Sequence, residues 1–277
     1  MQNINLRPSL IFLTLGMFWF GSCTKEEPLD ASRVKPLSIK STYTGTSYPV
    51  YVVLPSDYQP GIKYATIYVL DGDDESGGSK VYDLVGKMSQ EISVKYQKQN
   101  GIIVAIGSTE DRIRDYAPTI LKQFGNQGGG TENYAKFLQH ELIPRIEEEF
   151  SVDTSASKRT ISGHSLGGSV SGYMFAKHHD VFSNYLMLSP AYWWDDGIGL
   201  KYELENRSSN ALKKCLVYVG CGEFEEGIAI LAEEWYLRMK KYYPNCTTSF
   251  YKVPNTGHIS SASEDLERAL DFYYQHQ

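Results

Sequence analysis

The sequence predicts an α/β protein built on a mostly parallel sheet, with helices on both faces and antiparallel strands leading in at its N-terminal side. Three observations predict it. Short apolar runs bounded by turn residues alternate with stretches of helical period along the 277 residues. The inner runs lack strict apolar–polar alternation, as strands covered on both faces do. A glycine-flanked serine, in the stretch Gly163-His164-Ser165-Leu166-Gly167-Gly168, stands where one such run hands over to a helix.

Taken in order, strands are expected at residues 48–54, 65–70, 101–106, 160–162, 185–188, 216–219 and 248–253, with residues 39–54 supplying the antiparallel lead-in. Residues 132–150 place Tyr134, Phe137, Leu138, Leu142, Ile146 and Phe150 on one helical stripe, which Pro144 should kink. Residues 170–177, 200–212, 227–243 and 261–274 are the other helix candidates. No internal repeat is present. Gly128-Gly129-Gly130 is a loop ahead of the long helix.

The first 22 residues read as an export signal, with Arg7 in the positive region and an apolar run over residues 10–20 that is too short to span a bilayer. That run ends in Phe20-Gly21-Ser22-Cys23, which resembles a bacterial lipobox although Phe20 departs from its usual aliphatic residue. Cys23 is therefore the expected lipidation site. The following Thr24-Lys25-Glu26-Glu27 resembles the charged tag of surface-exposed Bacteroidetes lipoproteins. Residues 23–36, polar and carrying Pro28 and Pro36, read as a tether, and residues 37–277 as one domain. The expected location is an outer-membrane lipoprotein, exposed at the cell surface and held to the membrane by the lipid anchor alone.

A net charge of −6 without a long basic run excludes a nucleic-acid footprint. Beyond Cys23 there are three cysteines, so Cys215, Cys221 and Cys246 cannot all pair within the chain. Cys215 and Cys246 each open an apolar run, and neighbouring strand starts could join them in an oxidising compartment. No Cys/His spacing reads as a zinc site.

The serine stretch fits G-x-S-x-G, in which the nucleophile occupies a strained strand-to-helix turn that only glycine neighbours permit. A serine hydroxyl needs a base, and six histidines are available. His140 lies before the serine in the long helix, and His164 lies inside the turn, pointing elsewhere. His178 and His179 end the helix that leads away, and His276 is terminal. His258 remains, in a loop after the last apolar strand, where a parallel sheet presents its chemistry. The acid should follow the preceding strand: Glu223 comes first past its end, with Glu225 and Glu226 as rivals. Asp195 and Asp196 come one strand too early. An oxyanion hole would take one N–H from Leu166 and a second from Asp73, in the turn Asp71-Gly72-Asp73-Asp74. The acids of that turn lack the ligand spacing of an EF-hand calcium loop.

Tyr68-Val69-Leu70-Asp71-Gly72, the run from Arg112 to Thr119 (RIRDYAPT), Glu141-Leu142-Ile143-Pro144, the serine turn and Ser189-Pro190-Ala191-Tyr192-Trp193-Trp194 together carry a resemblance. Over residues 38–274 the chain resembles the esterase D-like esterases, α/β-hydrolases that include enterochelin esterases and many feruloyl and acetyl xylan esterases. The resemblance implies the α/β-hydrolase fold, Ser165 as nucleophile, His258 as base and an acid at Glu223. It also implies that Arg112 or Arg114, Trp193 and Trp194 lie near the cleft as substrate-binding residues. An arginine there could hold a carboxylate or phenolate, or pair with Asp115 instead; the tryptophans could line a subsite or belong to the core.

The expected activity is hydrolysis of an extracytoplasmic carboxylic ester through an acyl-enzyme, with no metal or organic cofactor. The favoured substrate is a feruloylated or acetylated plant polysaccharide, and a siderophore trilactone comes second. An acyltransferase using the same serine and a non-catalytic glycan- or siderophore-binding lipoprotein are the alternatives from other classes.

Overall fold

The computed structural model describes residues 29–73 and 81–277. The export signal and Cys23 lie outside them. In chain order the elements are β1 (Val34–Lys40), β2 (Ser47–Val53), β3 (Thr66–Leu70), α1 (Val81–Lys95), β4 (Ile102–Ile106), α2 (Arg112–Tyr116), α3 (Thr131–Phe137) and α4 (Ile143–Glu149). They continue with β5 (Arg159–His164), α5 (Leu166–Lys177), β6 (Asn184–Leu188), α6 (Ile198–Asn210), β7 (Cys215–Gly222), α7 (Glu226–Tyr242), β8 (Cys246–Val253) and α8 (Ala262–His276).

The strands form one eight-stranded sheet in the order β1-β2-β4-β3-β5-β6-β7-β8. The β1–β2 and β2–β4 pairs are antiparallel, and every other pair is parallel. Every residue of β3, β4 and β6 is buried, which explains the continuous apolar runs. Apolar residues on each face of the sheet make a separate core. The larger packs Tyr68, Ile161, Met187 and Val219 against α3 to α5 and α7; the smaller packs Ile67, Leu186 and Tyr218 against α1 and α8.

Two expectations change here. Residues 34–36 are strand rather than tether: Pro36 sits opposite Tyr51 in β1, which lies at the sheet edge, where the missing N–H of proline is tolerated. The 132–150 helix is present but interrupted by a π-turn over Leu138–Leu142. Pro144 cannot donate to the carbonyl four residues back and its ring would strike it, so the helix widens by a residue just before the proline. Helix α1 was not expected from the sequence. Gly86 lets it approach the sheet, since a Cβ there would lie 3.3 Å from a Val53 methyl.

Cys215 and Cys246 face each other across β7 and β8, 4.5 Å apart at Cα, and form a disulfide. Cys221 is a buried free thiol. Among the described residues, no helix is long and apolar enough to cross a membrane, and no cluster of three or more His, Cys, Asp or Glu could hold a metal ion.

Candidate active site

The carboxyl ends of β3, β5, β6, β7 and β8 bring the chemistry-bearing residues to one edge of the sheet. Ser165 sits between β5 and α5 with φ 60° and ψ −121°, a backbone conformation that a non-glycine residue adopts only under constraint. The constraint is visible. Its N–H donates to the Leu188 carbonyl at 2.9 Å, and its carbonyl accepts from the Ala191 N–H at 3.1 Å, so the turn is pinned to the end of β6. A Cβ at Gly163 would lie 2.5 Å from the Gly167 backbone, and one at Gly168 would lie 2.9 Å from the Leu188 carbonyl oxygen. Both glycines are thus required by close packing.

Helix α5 begins at Leu166, so the N–H groups of its first turn lack intrahelical acceptors and its positive dipole end faces the serine. Gly72 bonds to the Ile106 carbonyl at 2.8 Å, so close to β4 that a Cβ would strike Ala105. That contact turns the chain toward Asp73, whose Oδ1 accepts the Ser108 N–H at 2.9 Å.

His258 lies in the loop between β8 and α8, as expected. Its Nδ1 is 2.6 Å from Oε2 of Glu225, and that side chain is almost wholly buried. The carboxylate that meets His258 is therefore Glu225 and not Glu223, the residue expected there. The physical reason is the tight turn after β7: Oε1 of Glu225 accepts the Gly222 N–H at 2.6 Å and the Ser189 hydroxyl at 2.8 Å, folding the side chain back under the sheet edge toward His258. Exposed Glu223 instead points along the β8 loop, where it accepts the Asn255 N–H at 2.7 Å. Glu226 is exposed and begins α7. Burial pushes the Glu225 carboxyl up, but the bonds from His258, Gly222 and Ser189 outweigh it and hold the pKa below the usual carboxylate range.

With Glu225 accepting at Nδ1, the neutral imidazole carries its proton there and leaves Nε2 as the free base. His164 does not point elsewhere, as the sequence suggested. Its Nε2 is 2.9 Å from the His258 carbonyl oxygen, and the two rings are 4.5 Å apart at their centroids. Burial, with His258 alongside, lowers the His164 pKa to about 4.

The four residues implied by the resemblance divide. Arg114 is a structural bridge, bound to Asp115, Asp111 and Thr46, because Asp115 is buried and needs a counter-charge. Trp194 is core: it is 2% exposed, stacks on Phe124 and donates its indole N–H to the Thr119 carbonyl. Trp193, 39% exposed, keeps a face to solvent. Arg112 grips Asp71 through two 2.7 Å bonds, and Asp71 lies beside Gly167 in the first turn of α5. Ser189 and Ser261, which both bond Glu225, were not singled out as site residues, although Ser189 opens one of the segments that carried the resemblance. For Ser189 the available signal is a polar residue directly after an apolar strand; Ser261, just before α8, carries no such signal.

A strained serine at a strand–helix turn, with a buried carboxylate two strands away along the parallel part of the sheet and bonded to a histidine in the loop after the next strand, defines an α/β-hydrolase. Residues 41–236 match the family described as "Putative esterase", and the chain belongs to that family. It is 24% identical over 267 residues to ferri-bacillibactin esterase BesA of Bacillus subtilis, covering 82% of this chain and 84% of that protein. It is 25% identical over 238 residues to an endo-1,4-beta-xylanase/feruloyl esterase of Xylanibacter ruminicola, covering 76% of this chain but 30% of that protein. The crystal structure of the BES protein from Bacillus cereus superposes with a TM-score of 0.76 at 25% identity, covering 98% of each chain. The protein is a serine ester hydrolase.

Proposed function

We propose that the protein hydrolyses the ester bonds of a siderophore trilactone outside the cytoplasm, with Ser165 as nucleophile, His258 as base and Glu225 as acid. The observation that carries the chemistry is the 2.6 Å Glu225–His258 pair beside the strained serine turn. His258 Nε2 takes the Ser165 proton as Oγ attacks the ester carbonyl, and buried Glu225 stabilises the imidazolium that forms. The Leu166 N–H, at the positive end of α5, and an N–H from Asp73 receive the oxyanion. Collapse expels the alcohol, which takes the proton from His258. Water then repeats the sequence on the acyl-enzyme and frees Ser165.

Support for the substrate class comes from coverage: the ferri-bacillibactin esterase aligns along 84% of its length, whereas the feruloyl-esterase relative aligns along 30%. This reverses the order expected from the sequence, in which plant polysaccharide came first. Phe224 and Ile259, 66% and 77% exposed, adjoin Glu225 and His258 in sequence and offer apolar surface on which aromatic rings carried by a substrate could pack. The Cys215–Cys246 disulfide supports an oxidising location, in keeping with export and lipidation at Cys23.

The test compares wild type with Ser165→Ala on p-nitrophenyl acetate, a catecholate trilactone with and without iron, and feruloylated and acetylated xylan. The expected result is Ser165-dependent hydrolysis with kcat/KM highest on the trilactone. Preference for a xylan ester would overturn the substrate, and equal rates for both proteins would overturn the mechanism.

A further inference from the structure

We propose that His164 is a positioning residue for the base, holding the His258 loop to the strand that delivers Ser165 through a hydrogen bond from its Nε2–H to the His258 carbonyl. This rests on the reading of His258 as base. The loop over residues 254–261 is tied to the acid side of the site at several points. The Phe224 N–H donates to the Thr256 carbonyl at 2.9 Å, the Asn255 N–H to Glu223 at 2.7 Å, and Nδ1 of His258 meets Glu225. These contacts fix the base relative to β7. The nucleophile, however, hangs from β5, two strands away in the sheet. His164 is the last residue of β5 and the immediate neighbour of Ser165, and it spans that gap with a 2.9 Å bond and a ring contact of 4.5 Å.

The chemistry of the contact is specific. A carbonyl oxygen only accepts, so the His164 proton must sit on Nε2. A protonated His164 would place a cation against the imidazolium that forms on His258 during the reaction. The burial that favours the neutral imidazole removes that conflict. The neutral ring can therefore stay packed on the base throughout the cycle. Transfer of a proton between Ser165 and His258 tolerates little misplacement, since an error of about 1 Å can cost roughly a hundredfold in rate.

The experiment uses His164→Gln, which keeps an N–H donor at comparable reach, His164→Phe, which keeps the ring without the donor, and His164→Ala as a second variant lacking the donor. Wild type and Ser165→Ala are run in parallel. On p-nitrophenyl acetate, Gln should retain kcat within about threefold, while Phe and Ala should lose about ten- to a hundredfold in kcat with KM nearly unchanged. The low-field proton resonance of His258 Nδ1–H should persist in Gln and broaden in Phe and Ala. If Phe does not fold, the Gln–Ala contrast decides. Wild-type kcat in Phe, which would mean a packing role only, or in Ala would overturn the inference, as would a loss in Gln equal to that in Phe, which would mean that the donor does not carry the effect. Equal rates in Ser165→Ala and wild type would instead overturn the reading of the site, and this inference with it.

Discussion

Oε2 of Glu225 meets Nδ1 of His258 at 2.6 Å from a buried position, while Glu223, two residues earlier, turns outward to the Asn255 N–H. The two glutamates should therefore separate cleanly on mutation. Glu225→Gln keeps the shape but removes the negative charge and scrambles the His258 tautomer, and should lower kcat by about 10³ to 10⁴. Glu223→Gln removes a charge from an exposed loop bond and should leave kcat within about threefold. Kinetics on p-nitrophenyl acetate distinguish them; comparable losses in both would sink the assignment.

Ser189 follows β6 with φ 40° and is fully buried, giving its hydroxyl to the same carboxylate that orients His258. Hydrogen bonds to a charged group contribute about 1.5–3 kcal/mol. Ser189→Ala should thus raise the Glu225 pKa and lower kcat about tenfold, moving the acid limb of the kcat–pH profile upward. A profile superimposable on wild type would show that the hydroxyl does not hold the acid.

Much of this arrangement was legible because it follows from local rules. The buried parallel strands read as apolar runs, the serine turn announces itself through its glycines, and His258 is the histidine in a loop that follows a strand. What was not legible depends on how a loop packs. Gly222 lies so close to the β8 loop that a Cβ would be 2.7 Å from the Thr256 carbonyl, and this closeness selects Glu225 over the nearer Glu223. No periodicity encodes it. The role of His164 is illegible for the same reason, since its partner is a backbone carbonyl 94 residues away. Resemblance leaves Arg114 and Trp194 open between the cleft and a structural role, and buried Asp115 and the Phe124 ring decide for the structural role.

The Cys215–Cys246 disulfide joins the entry ends of β7 and β8, at the opposite end of these strands from His258 and Glu225. Closing 31 residues of sequence removes unfolded-state entropy worth about 3–4 kcal/mol. A Cys215→Ser/Cys246→Ser double variant should lose roughly that much stability in urea denaturation while keeping wild-type kcat at 25 °C. A large loss of kcat in folded protein would contradict the separation of the two ends.

Asp265 in α8 is fully buried, with Oδ1 accepting the Tyr218 hydroxyl at 2.7 Å and Oδ2 without a partner. Burial raises its pKa to about 7; the charges of Glu225 and Glu264 push the same way, against the Tyr218 bond and the Arg268 charge, with Cys221 also alongside. The folded protein thus keeps a proton that the unfolded chain releases near 3.8. Its stabilising effect is complete below pH of about 4 and is lost as pH rises through about 7, an effect of up to about 4 kcal/mol. Asp265→Asn, neutral at every pH, should flatten this part of the stability curve and gain on wild type between pH of about 4 and about 7, levelling off above that. Urea denaturation of both proteins across that range measures the difference directly. Parallel curves would mean that Asp265 is ionised in the folded state throughout, and that the buried carboxylate is compensated by groups other than Tyr218.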